Sequence, residues 1–238
     1  MEYIILAINP GSTSTKIAIY KNDAPLFVKT LRHSSEEIGR YAKVSDQFQF
    51  RKDLIVKAVE EEGVKIATGF LMRFHVINAK IREIVQSGQI GQIINCRAQF
   101  SCWYPEIPGA WRQVKALSGG GALMDMGVHC IDLLQYIVGS KAKRVASFSR
   151  TNTFNYEVED QASLMMELEN GAFAYVESNF NVPDAVPSKL EIFGTGGSIV
   201  AYGTLSQVEG GTIDVIAADS TAGYDAQQTR DEVKKLDV

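Results

Sequence analysis

QASLMMELENGAFAYVESNF (residues 161–180) alternates apolar and polar side chains on either side of Asn170-Gly171. Asn-Gly is a strong hairpin signal, so the stretch predicts a β-hairpin with strands over 161–168 and 173–180. Working outward, the same texture gives strands over 93–101, 144–148, 189–193, 198–202 and 212–216, and a short one over 66–70. Two helices interrupt them. One covers 75–85, with Ile77, Ile81, Ile84 and Val85 at helical spacing, and stops at Ser87-Gly88; the other runs from near Gly121 to Val138, capped by Ser118 and closed by Gly139. The expected fold is α+β: one large, mostly antiparallel sheet with helices on one face.

A different piece precedes it. Residues 3–8 and 16–20 are apolar strands around the turn Asn9-Pro10-Gly11-Ser12, a third strand covers 26–30, and a helix starts at Ser34 or Ser35. A second, amphipathic helix spans 46–62, and Gly63 ends it. Nothing in these residues extends their sheet past three strands, so the core is thin. The division is therefore 1–63, 64–219 and a polar tail, 220–238.

Of 238 residues, 45% are hydrophobic, 22% charged and 9% aromatic, which excludes disorder. With Lys+Arg 24 against Asp+Glu 28, no basic stripe tracks a phosphate backbone, so nucleic acid is not an expected partner. Apolar runs such as 3–8 fall far short of the roughly 20 residues that span a bilayer. Glu2 without a basic leader argues against a signal peptide, and three cysteines suit a reducing compartment. The expected location is the cytoplasm, with no membrane partner.

Two constellations carry chemistry. Asn9-Pro10-Gly11-Ser12-Thr13-Ser14-Thr15-Lys16 offers backbone amides, hydroxyls and one ammonium, which can neutralise a phosphate; the same composition also suits a plain polar hairpin loop, and it lacks the P-loop spacing. In Gly119-Gly120-Gly121-Ala122-Leu123-Met124-Asp125-Met126-Gly127-Val128-His129, Asp125 and His129 stand i, i+4 on one helical face. A carboxylate beside an imidazole fixes its tautomer and raises its basicity, and such a histidine can move a hydroxyl proton near neutral pH. The glycines let backbone approach a ligand or a neighbouring element. Against this stands a helix-start hydrogen bond and a half-buried histidine.

The remaining signals read blandly. Cys96, Cys102, His129 and Cys130 lack the paired spacing of a zinc site, so no metal is expected. His75 sits where a cap is as good a reading as chemistry, and nothing distinguishes His33. Gly194-Thr195-Gly196-Gly197-Ser198 has Ile199 where a dinucleotide turn needs glycine or alanine, and it joins two strands; it reads as a hairpin turn. An aromatic-poor, apolar sheet face left uncovered implies a homo-oligomer formed through it.

Longer stretches carry resemblances. INPGSTSTKIAIY, HSSEEIGRY and DQFQFRKDLIVKAVEEEG resemble the amino-terminal portion of the butyrate kinases, over residues 1 to about 63. That resemblance places Asn9, Ser12, Ser14 and Lys16 near phosphate and implies ATP and magnesium. The opposing lobe that completes such a site has no counterpart here, so phosphoryl transfer is not expected. ATGFLMRFH, SGQIGQI, AQFSCWYPEIPGAWRQ, SGGGALMDMGVHCIDLLQYIVG, YEVEDQASLMMELENGAFA and LEIFGTGGSIV, in that order, resemble the carboxy-terminal domain of the Gfo/Idh/MocA family of NAD(P)-dependent sugar and polyol dehydrogenases. The resemblance implies His129 as acid/base at the substrate hydroxyl and Asp125 as its orienting or substrate-binding partner. Arg73, Tyr104, Trp111 and Arg112 fall on stretches that border the sugar site. It also implies NAD or NADP, but neither the family's G-x-G-x-x-G turn nor its Glu-Lys-Pro lysine is present. Three functions follow: an oxidoreductase substrate domain incomplete by itself, a butyrate kinase-like enzyme, or a non-enzymatic oligomerisation or ligand-binding module.

Overall fold

β1 (Ile4–Pro10) and β2 (Ser14–Lys21) pair antiparallel, and β3 (Ala24–Arg32) adds to β2 to complete a three-stranded sheet; the middle of the hydroxyl-rich segment, residues 11–13, lies outside the described residues. The computed structural model describes residues 4–10, 14–41, 44–62, 69–183, 187–218 and 234–236. They fall into two units, Met1–Gly69 with Val114–Gly119, and Phe70–Gln113 with Gly120–Val238.

In the smaller unit, Ser34 caps α1 (Ser35–Gly39): its hydroxyl accepts from the Glu37 amide while Glu37 returns the bond to the Ser34 backbone. A 3₁₀ turn, Val44–Gln47, leads into α2 (Phe48–Glu62). α4 (Lys115–Ser118) ends at Gly119, whose φ of +80° suits only glycine well. Ser118 therefore closes this short helix, its hydroxyl donating to the Val114 carbonyl, instead of capping the next one as the sequence suggested.

The larger unit opens with a 3₁₀ turn, Leu71–Phe74, and α3 (Val76–Gln86). The strand expected over 66–70 falls partly on residues 63–68, outside the described residues; Gly69 and Phe70 are irregular. β4 (Ile93–Ser101) follows, then α5 (Val128–Val138), β5 (Ala142–Arg150), β6 (Gln161–Leu168) and β7 (Phe173–Asn179). β8 (Lys189–Gly194), β9 (Gly197–Tyr202) and β10 (Thr212–Ala217) complete the run. The tail is more than polar chain, since β11 (Lys234–Leu236) pairs antiparallel with β10. The sheet order is β11-β10-β9-β8-β4-β7-β6-β5, with one parallel pair, β4 with β7.

Register follows from the hairpin. Gly171, at φ +88°, completes a tight turn, and Leu164 faces Val176 while Met166 faces Ala174. These side chains, with Cys96, Ala98, Leu190, Ile192 and Ile199, meet Ile81 and Ile84 of α3 and Leu133, Leu134 and Ile137 of α5 in one core. The other face, which no described helix of this unit packs against, holds a shallow depression of about 680 Å³ lined by Arg97, Phe148, Met165, Tyr175, Glu177 and Lys189 among others. It is a mixed aromatic and charged surface rather than an aromatic-poor one: Arg97 lies over the rings of Tyr175 and Phe193, and Lys189 over Tyr202. No described helix is long and apolar enough to cross a membrane.

Candidate functional site

Residues Leu123–Gly127 form a π-turn that runs directly into α5. The Val128 amide reaches back five residues to the Leu123 carbonyl, and turns of this width often accompany functional sites. The preceding glycines serve a neighbouring element. A Cβ on Gly121 would lie 1.9 Å from the Glu159 carbonyl oxygen, because the Ala122 amide donates to that oxygen at 3.0 Å and the Leu123 amide to the Glu159 carboxylate at 3.1 Å. The Glu159 segment thereby takes up the free amides at this helix start.

Asp125 and His129 emerge from this segment, but among the described residues no hydrogen bond joins them. The wider turn removes the i, i+4 stacking of an α-helix, and Asp125 instead accepts from Arg112 Nε at 3.1 Å. Arg112 in turn lies 4.6 Å above the Trp111 ring, and Trp111 is half exposed. His129 Nδ1 is sealed from solvent and has no hydrogen-bond partner among the described residues. Its ring stands edge-to-face against Phe70, centroids 5.9 Å apart.

Arg73 is engaged elsewhere. Its guanidinium grips the Asp132 carboxylate with two bonds, one at 2.7 Å from Nε and one from Nη2, and rests 4.8 Å from the Tyr136 ring. That contact raises the Arg73 pKa, chiefly through the hydrogen bond to Asp132. Tyr104 packs its ring 5.0 Å from Phe180, beside Ala122 and Met126 of the helix start, and its carbonyl accepts from the Tyr156 hydroxyl. Burial, followed by the charge of Asp160, pushes the Tyr156 phenol up.

The aromatic loop is tied down by residues the sequence did not single out. Fully buried Asp160 accepts from the Asn152, Thr153 and Phe154 amides at 2.7–3.0 Å. Gln113 donates to the Pro105 carbonyl and accepts from the Ile107 amide. Both residue types are common on surfaces, so only the folded loop reveals their role.

In the smaller unit, Lys16 is exposed, Ser14 is half-buried, and Asn9 is the register partner of Lys16 across β1 and β2; Ser12 lies outside the described residues. Thr15 is buried, with its hydroxyl 2.9 Å from His33 Nε2. Burial lowers the His33 pKa, Arg51 pushes the same way and Glu37 opposes. His75 is buried at the start of α3 without making a side-chain cap. Burial drives the Cys96 and Cys130 thiols up to about 12, so neither is a nucleophile near neutral pH, and no metal-binding cluster occurs among the described residues.

A dinucleotide does not fit the glycine turn at 194–197. Its Thr195 and Gly196 amides donate to the Gln92 and Ile90 carbonyls, and a Cβ on Gly194 would lie 2.1 Å from the Ile90 oxygen, so its backbone is committed to the fold.

Comparison with known proteins divides along the chain's two textures. A Probable butyrate kinase of Clostridium botulinum (strain Eklund 17B / Type B) is 56% identical over 68 residues, 29% of this chain and 19% of that protein. A putative NADPH-dependent oxidoreductase of Desulfitobacterium hafniense superposes with a TM-score of 0.63 at 25% identity, covering 76% of this chain and 51% of that one. Levoglucosan dehydrogenase in complex with NADH and levoglucosan gives 0.60 at 25% identity, covering 76% and 49%. The chain thus spans about a fifth of that kinase and about half of these oxidoreductases. The family described as GFO/IDH/MocA C-terminal domain matches residues 78–200, which run from α3 through β9 and include the π-turn and His129. As this match takes in more than half of the residues, the chain belongs to the GFO/IDH/MocA C-terminal domain family.

Proposed function

We propose that residues 64–219, which supply most of the larger unit, form the substrate-side domain of a sugar or polyol oxidoreductase. The carrying observation is His129: an imidazole with one sealed, unpartnered nitrogen, one turn beyond the exposed Arg112–Asp125 pair, inside the family-matched segment. In this reading His129 takes the hydroxyl proton as the carbon is oxidised, Asp125 and Arg112 bind substrate hydroxyls, and Trp111 and Tyr104 offer ring faces to the sugar. Arg73 stands outside this set. NAD or NADP would accept the hydride. Because the glycine turn does not fit it, the reading assigns the dinucleotide to a partner domain and gives this chain only binding and proton transfer. The oxidoreductase relatives that bind NADH and a sugar support that assignment.

The proposal includes a cytoplasmic homo-oligomer formed through the uncovered sheet face, where Phe148 is 82% exposed. The kinase-like match of 56% identity favours a second reading, an acyl kinase, for residues 1–63. One preparation of the chain separates them. Titration with free sugars and polyols, levoglucosan included, is expected to show binding that His129→Ala weakens by about tenfold, the worth of one hydrogen bond to a charged group. Unchanged affinity removes His129 from the site. ATP, magnesium and butyrate are expected to give no acyl phosphate, and its formation would establish the kinase reading. Light scattering is expected to give a dimer; a monomer at micromolar concentration removes the sheet interface.

A further inference from the structure

A histidine that moves protons needs its ring plane held, because the bond from Cβ to the ring turns in a broad, shallow well. Here no hydrogen bond does this at Nδ1, and Asp125 is occupied by Arg112. The Phe70 ring meets the imidazole edge-to-face, at an interplanar angle of 88°. Phe70 has a second neighbour, since the Arg73 guanidinium lies 6.0 Å from its centroid. Arg73 is itself fixed by Asp132 and stacked on Tyr136, which also carries Arg82 at 4.5 Å. His129, Asp132 and Tyr136 follow one another on α5 at spacings of three and four, so the helix that bears the imidazole also anchors the group that steadies its packing partner.

We propose that Phe70 and Arg73 are positioning residues for His129, with Arg73 acting through Phe70 and anchored by Asp132. Phe70 supplies a flat wall that admits one orientation of the imidazole. The Arg73 fork, held in plane by the carboxylate, keeps that wall from turning. The idea rests on the reading of His129 as the proton-handling group, yet its test does not need catalysis.

With three histidines in the chain, the side-chain resonances of His129 can be assigned by their loss in His129→Gln. In the full chain we expect a nuclear Overhauser contact between the Phe70 and His129 rings, and a ring-current displacement of the His129 carbon-bound protons. Phe70→Leu should abolish both, Phe70→Tyr should retain both, and Arg73→Lys, which keeps the charge but loses the fork, should weaken both. Asp132→Asn reads the same link if Arg73→Lys lowers the melting temperature. Unmoved His129 resonances in folded Phe70→Leu overturn the proposal, and unmoved resonances in both Arg73→Lys and Asp132→Asn overturn the part given to Arg73. A moved ring in Phe70→Leu together with sugar affinity that ignores His129→Ala keeps the clamp and discards the function.

Discussion

Gly121→Ala is expected to lower the melting temperature of the chain by about 10 °C or to prevent folding of the larger unit. The added carbon would stand 1.9 Å from the Glu159 carbonyl oxygen, and that oxygen is backbone held by the Ala122 amide, so no side chain can swing away. Relief requires moving the helix start off the 159–160 segment, which breaks two hydrogen bonds and opens the packing beneath; about 3–4 kcal/mol is the expected loss, at a few degrees per kcal/mol for a chain of this size. Gly120→Ala is the control: its nearest obstacle, at 2.5 Å, is the flexible Met124 side chain, and it should cost much less. Circular dichroism melts of the two variants decide, and equal small shifts would refute the backbone contact.

Asp160→Ala should be comparably damaging. It removes the acceptor of three backbone amides in a position with no solvent access, and each amide left without a partner costs about 1–3 kcal/mol unless the loop opens to water. We expect the loop to open. Amide exchange at Asn152, Thr153 and Phe154 should lose its protection, and Trp103, which packs 5.0 Å from Phe154, should change its fluorescence. Asp160→Asn keeps the shape but turns an NH₂ group toward at least one donor, so it should fall between the two. Protection unchanged in Asp160→Ala would show that the amides are satisfied some other way.

The sheet was legible because its signals are local. Asn170-Gly171 names its own turn, and the alternation in 161–168 fixes which side chains face the core before any partner strand is known. Long-range pairing was not legible: nothing in Ile93–Ser101 announces that it lies between β7 and β8, parallel to one and antiparallel to the other. The site divides in the same way. His129 and the glycines were marked by composition and spacing, but the i, i+4 rule assumes an α-helix, and the π-turn re-aimed Asp125 toward Arg112. Arg73 read as a residue bordering the sugar site, because its partner Asp132 stands 59 residues away and nothing local announces the pair. The Thr15–His33 contact was likewise hidden, because a lone histidine after a strand carries no pattern.

The parallel β4–β7 pair sets an order of assembly. The β6–β7 hairpin closes on itself through a short three-residue loop, 169–171, and can form early, whereas β4 must wait until two intervening strands and two helices have been made before its neighbour exists. On the ribosome, the central strand of the sheet is therefore born with both hydrogen-bonding edges bare. A nascent chain halted before β7 would expose Ile93, Cys96 and Ala98, which belong in the core, and is the form most in need of a chaperone.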